Sequence, residues 1–184
     1  MEQYKGTIKT VVTTIIALIL VGLLANLILW QIYKMNICEP LYTTSTNAGY
    51  TYDEDAKTYT STIGKIDASI AEPTTLKFDC TIAFAEKSSN IWKVGGDTKQ
   101  ILITYEIIPK VSGSFEYRVC FEDITGPSST IKNDRGYVTI DPNSLSIDKD
   151  NTTNSDGSTL VSTYTTRIQK LITTANDVYG IDIQ

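Results

Sequence analysis

VVTTIIALILVGLLANLILWQIY, residues 11–33, carries no charged side chain along its whole length. Wound as an α-helix at ~1.5 Å per residue it measures ~34 Å, enough to cross a hydrocarbon layer of ~30 Å with modest tilt. A cleaved secretory signal has a shorter apolar core and a small-residue exit, whereas this run leaves through Leu29-Trp30-Gln31-Ile32-Tyr33. A lipoprotein cleavage before Cys38 is disfavoured by the bulky Ile37. A helix apolar on every face could be buried in a soluble protein only with far more chain around it. The stretch therefore predicts a transmembrane helix over residues 11–33, preceded by a cytoplasmic tail or short leader over residues 1–10.

Flanking charge sets the orientation. Lys5 and Lys9 precede the span, while Lys34 alone follows it and is soon succeeded by Glu39 and an acid-rich remainder. Positive flanks stay cytoplasmic, so the expected product is single-pass in the cell membrane, N-terminus in and C-terminal domain outside. Trp30 and Tyr33 suit the outer interface and Tyr4 the inner one, because such rings have an apolar body and a polar tip.

The span has two unlike sides. Thr14, Gly22 and Asn26 recur at multiples of four residues with Ala17 and Ala25 beside them, and the other side is Leu and Ile. Lipid gives no reason for that asymmetry; a neighbouring helix does, since small residues let backbones approach and an amide can hydrogen-bond across for about 1 kcal/mol. Thr14, Ala17, Gly22, Ala25 and Asn26 are thus predicted to pack helix on helix, the partners being further copies or other membrane assembly proteins. The alternative is that Thr and Gly are merely common in membrane helices and that Asn26 finds backbone or water near the boundary.

Residues 1–9, MEQYKGTIK, place Lys5-Gly6 just ahead of the apolar run. A short basic leader ending in Gly, then a long apolar helix, then a small outer domain, resembles the architecture of type IV-like pilins and pseudopilins. The resemblance covers about the first 35 residues. It implies leader removal after Gly6, with Thr7 as the new N-terminus, and a place in a surface filament or secretion machine. It departs from that pattern at Val11, where such proteins usually carry Glu at the fifth mature position to help pair subunits.

The chain has 184 residues, and about 150 remain beyond the span, the usual size of one domain with its own core. Of the 16 Lys and Arg, three (Lys5, Lys9, Lys34) lie at or before the membrane exit, and of the 21 acids one (Glu2) does. The outer part therefore has 13 basic against 20 acidic groups, a net charge of −7, which disfavours nucleic acid as a partner. Histidine is absent, removing the commonest general base and metal ligand. No G-x-S-x-G, phosphate-cradling loop or paired C-x-x-C is present, so no catalytic, cofactor-binding or metal site is expected.

Residues 34–49 contain Pro40 and a Thr, Ser, Asn and Gly cluster, and are expected to be a turn-rich connector and hinge. From residue 50 the composition turns to Thr, Ile, Val, Tyr and Phe with recurrent alternation. Strands are predicted at 58–63, 65–70, 76–85, 91–94, 100–108, 115–122 and 136–140. In 76–85, Leu76, Phe78, Cys80, Ile82 and Phe84 share an inward face. In 100–108 both faces are apolar enough for a covered central strand. In 115–121, Cys120 falls opposite Phe115, Tyr117, Val119 and Phe121. Cys80 and Cys120 would then point to opposite faces and could not bridge side by side without a bulge or a twist between sheets. The pairing among Cys38, Cys80 and Cys120 stays open, free thiols included.

Residues 141–158 read as a loop. Thr152-x-Asn154-x-Asp156-Gly157 partly imitates a calcium loop, but Thr163 stands where the bidentate Glu belongs, so a solvated acidic turn is expected. Residues 158–179 show Leu160, Val161, Tyr164, Ile168, Leu171, Ile172, Ala175, Val178 and Tyr179 at three- and four-residue spacing. They predict one amphipathic helix, capped by Asp156 or Ser158, stopped by Gly180, with Arg167 away from its apolar centre. The expected fold is α+β: a transmembrane helix, then a β-rich extracytoplasmic domain over residues 50–184 with its C-terminal helix on the sheet. The expected function is a membrane-anchored structural or assembly subunit, pilin-like. The alternatives are a monomeric tethered binding module and, third, a hydrolase using Glu106, Glu116, Glu122 or Asp123.

Overall fold

Helix α1, Glu2–Tyr33, is long and apolar enough to cross a membrane, and no residue of its most apolar stretch is buried by the rest of the protein. The molecule is described here by a computed structural model covering residues 2–53, 58–60, 66–70, 74–78, 80–86, 92–94, 97–99, 101–123, 136–153 and 155–179. The helix does not stop at Tyr33. It passes through one π-helical stretch, Lys34–Cys38, into α2, Glu39–Asn47, so the segment expected as a turn-rich hinge is helical. Pro40 accounts for the wide turn: its ring crowds the carbonyl four residues back and its nitrogen has no hydrogen to donate, and the preceding turn relaxes to five-residue bonding, as in the Glu39 N–H to Lys34 carbonyl bond. The hydroxyls of Thr43, Thr44, Ser45 and Thr46 then donate to the carbonyls four residues earlier rather than competing for turns.

The head is α+β, built on an antiparallel sheet. Its strands are β1 (Thr51–Asp53), β2 (Thr58–Thr60), β3 (Ile66–Ile70), β4 (Ile82–Glu86), β7 (Ile101–Pro109), β8 (Phe115–Asp123), β9 (Gly136–Ile140) and β10 (Ile147–Asp150), hydrogen-bonded in that order. A separate hairpin joins β5 (Trp92–Val94) to β6 (Asp97–Lys99). On one sheet face Ile82, Phe84, Ile103, Tyr105, Ile107, Val119, Val138 and Ile140 are buried beneath α3 (Gly157–Thr163) and α4 (Thr165–Tyr179), which contribute Val161, Tyr164, Ile168, Leu171, Ile172 and Ala175. Each such aliphatic or aromatic side chain stabilises the fold by roughly 1.5–3 kcal/mol relative to exposure. Strand β7 is central, between β4 and β8, and Thr104 and Glu106 on its second face are buried as well.

Four further expectations need correction. Strand β4 begins at Ile82; Leu76 lies in a turn at 74–77 and is 79 % exposed, since Pro73 and the polar residues after it favour a turn over sheet pairing. The loop at 141–158 contains β10, whose Asp148, Lys149 and Asp150 are exposed at the sheet edge, where charge is tolerated and deters further pairing. The C-terminal helix is broken at Tyr164, where the Thr165 hydroxyl donates to the carbonyls of Val161 and Ser162 and competes with the helical ladder. Arg167 is 8 % exposed, not peripheral: its Nη2 donates to the Ile101 carbonyl and its guanidinium lies 5.6 Å from the Tyr164 ring. Asp156 caps α3, accepting from the Ser158 N–H, while Gly180 and Asn154 lie outside the described residues.

Candidate functional site: the N-terminal helix and its seat in the head

The five residues expected to pack helix on helix all lie on α1. Thr14, Ala17, Gly22 and Ala25 are exposed and Asn26 is half-buried. A Cβ added at Gly22 would meet nothing within 4 Å, so the surface there is open to a neighbour. The hydroxyls of Thr10, Thr13 and Thr14 donate back to the carbonyls of Gly6, Lys9 and Thr10, at 3.1, 2.8 and 2.9 Å. Their polar atoms are thus satisfied within the helix, and the side they line presents small methyl and Cα surface. Gly6 and Thr7 are exposed in the second turn of α1.

The C-terminal part of the rod is held in the head through Tyr33, Cys38, Leu41, Tyr42 and Ser45; Tyr33, expected at the outer membrane interface, is instead buried against Phe78 and the Pro109 carbonyl. Cys38 and Cys80 form a disulfide with Cα atoms 5.8 Å apart. Tyr33, 2 % exposed, stands edge-on to Phe78 at 5.5 Å; its hydroxyl lies 3.3 Å from Cys80 Sγ and donates to the Pro109 carbonyl at 3.2 Å. Seven residues beyond Cys38, the buried Ser45 meets the Tyr179 hydroxyl at the end of α4, and Tyr179 leans edge-on against Phe84 of the sheet at 5.7 Å. Leu41 and Tyr42 pack between these two fixings. The spacing of Cys38, Leu41, Tyr42 and Ser45 is that of one helical face, a signal that Pro40 conceals. Cys120, buried on the other sheet face opposite Thr104 and Tyr137, takes no part in the bridge.

Of the candidate carboxylates, Glu106 and Glu116 flank Arg118 on one sheet face, and Glu122 stands apart. Glu116 is paired with Lys110 at 2.6 Å and with Arg118, and the Lys110 hydrogen bond, aided by Arg118 and opposed by partial burial, holds its carboxyl below the usual range. Glu122 is six residues further along the same strand, about 20 Å away, and Glu106 is buried opposite Arg118. The Asp123 side chain lies outside the described residues. Burial, then the nearby Tyr117, raises the Tyr105 phenol; its oxygen has no hydrogen-bond partner among the described residues. In the acidic loop, Asp150 accepts from Thr152 N–H, Thr152 Oγ1 and Gly157 N–H, and Asp156 from Ser158 N–H, Ser158 Oγ and Thr159 Oγ1. Those bonds, the hydroxyl donors foremost, hold both carboxyls below their ordinary range and serve the turn and the α3 cap. Among the described residues no three Asp, Glu or Cys side chains gather as a metal site. A shallow groove of about 570 Å³ beside the β9–β10 turn is lined by polar Ser144, Ser158 and Gln169 and apolar Leu145, Ile147 and Val161, with no charged side chain.

No known protein family, curated protein or solved structure matches this chain. The described residues show a bare apolar helix fixed into a folded head at two levels, by the Cys38–Cys80 bridge and by Ser45 against Tyr179.

Proposed function

We propose that this protein is a single-pass, membrane-anchored structural subunit. In this reading residues 11–33 lie in the membrane, the head projects outside the cell, and subunits assemble with copies or with other membrane proteins through the Thr14, Ala17, Gly22, Ala25 and Asn26 face. The observation that carries the reading is the continuity of the rod: residues 6–47 form one helix, ~63 Å long, with a naked apolar half and a half bolted into the head. A tethered binding module gains nothing from such stiffness, whereas a subunit that must hold its head in register with its neighbours does. The disulfide supports an oxidising compartment for the head, and Lys5 and Lys9 support a cytoplasmic N-terminus. The resemblance of the first 35 residues to type IV-like pilins extends the proposal to a filament or secretion-machine component processed between Gly6 and Thr7.

Mass spectrometry of the mature protein from its membrane tests processing: a chain beginning at Thr7 is expected, and an intact Met1 would remove the pilin-like part of the proposal. Disulfide or photo-crosslinking within the membrane tests assembly. Gly22→Leu and Asn26→Leu are expected to abolish the crosslink while leaving the head folded; undiminished crosslinking in both variants would overturn assembly through this face.

A further inference from the structure

Two segments of the head meet the helix at Tyr33, the last residue of α1. In the first, Cys80 is bonded to Cys38 and Phe78 meets Tyr33. The segment then ends in the 74–77 turn, where Leu76 is 79 % exposed. In the second, the Pro109 carbonyl at the end of β7 is held by Tyr33, and the turn beyond it carries Val111, 57 % exposed, ahead of Phe115, 39 % exposed. Leu76 is two residues from Phe78 and Val111 two from Pro109, so both turns adjoin the level of Tyr33, the last residue of the proposed span; on the helix, Trp30 is half-buried and Ile32 is exposed. Lysines accompany them in an otherwise acidic head: Lys77 is exposed next to Leu76, Lys34 lies over the Trp30 ring at 5.6 Å, and Lys110, next to Val111, is paired with Glu116.

Exposed aliphatic side chains on two turns near Tyr33, with lysines beside them that form no ion pair among the described residues, have the chemistry of an interfacial lipid contact: the apolar tips enter the headgroup layer and ammonium groups meet lipid phosphates. We infer that the head rests on the bilayer from which its helix emerges, with Leu76 and Val111 among the headgroups and Lys34 and Lys77 against anionic phosphates. The partner of this edge is the lipid surface. The inference rests on the proposed membrane location of α1 and adds that the head is seated on the membrane before or between assembly contacts.

The test uses the full chain in vesicles of phosphatidylcholine with phosphatidylglycerol, carrying a nitroxide at Val111→Cys, at Leu20→Cys or at Lys170→Cys. Collision of the label with oxygen, which prefers lipid, is compared with collision with a water-soluble nickel chelate. Labels at Leu20 and Val111 are expected to favour oxygen and the label at Lys170, on the exposed side of α4, to favour nickel. Adding Leu76→Asp should return the Val111 label toward water by about tenfold, the lower end of what withdrawing one aliphatic side chain from an apolar phase costs. Leu20 in lipid with Val111 in water would overturn the seat and leave the anchor standing; both in water would overturn the anchor itself. A Val111 label shielded from both reagents would mean that protein covers it, which also overturns the inference. Immersion that is equal in phosphatidylcholine alone would overturn the lysine contacts.

Discussion

Cys38 on the helix and Cys80 ahead of β4 are covalently joined, with 42 residues of sequence separation closed by the bond. The helix and the sheet are therefore one body at the level where the apolar half of the rod begins.

Removing that bond should loosen the seat of the helix. The chain-entropy model gives about 4 kcal/mol for a loop of this length, so the Cys38→Ser, Cys80→Ser double variant is expected to unfold at clearly lower urea concentration in detergent. An unchanged midpoint would show that Tyr33, Leu41 and Ser45 hold the helix alone.

Gly157 opens α3 where no side chain fits: an added Cβ would lie 2.6 Å from Val138 Cγ1 and 2.6 Å from Asp150 Oδ2. Gly157→Ala is expected to cost about 1–3 kcal/mol through overpacking, measured as a lower thermal midpoint. Gly22→Ala, with open space around it, should leave the head's midpoint alone. Equal midpoints for Gly157→Ala and the parent would mean that the β9–β10 edge yields freely.

Arg167 ties α4 to the first carbonyl of β7 from a position 8 % exposed. Arg167→Met keeps much of the apolar stem but deletes the charged donor, and a loss of about 1.5–3 kcal/mol is expected. Were the variant as stable as the parent by urea titration, the guanidinium would be serving only as hydrophobic cover.

The acidic turn should respond to pH with a definite sign. Asp150 and Asp156 have their carboxyl pKa values lowered in the fold, chiefly by the Thr152 and Ser158 hydroxyls. Their contribution is complete above the unfolded carboxylate value of about 3.9 and is lost as pH falls through the lower, folded values. In a pH titration by NMR, the Thr152 and Gly157 amide signals should stay constant at neutral pH and move only below that value. Movement centred at or above it would contradict the hydrogen bonds assigned to these carboxylates.

Much of the fold was legible because its signals are local. The uncharged run at 11–33, the alternation in β7 and β8 and the stripe from Leu160 to Tyr179 each report their own conformation through period and hydropathy. The small face of α1 was legible for the same reason. Its seat was not: Pro40 and the Thr-rich residues after it favour a turn by composition, and only packing against Cys80, Phe78 and Tyr179 makes the helix the better state. Arg167 looked peripheral because a wheel drawn on one helix cannot show the Ile101 carbonyl waiting on a strand 66 residues away.

By itself, then, the sequence determined an uncharged helix of membrane length, an acidic β-rich head, and an amphipathic helix to cover it, all consequences of residue type and spacing along the chain. Which cysteine meets Cys38, whether the connector turns or stays helical, and which residues of the head hold Tyr33 were decided only in three dimensions. Those outcomes depend on contacts between residues tens of positions apart, and their free energies are gained only when the whole chain has closed around them.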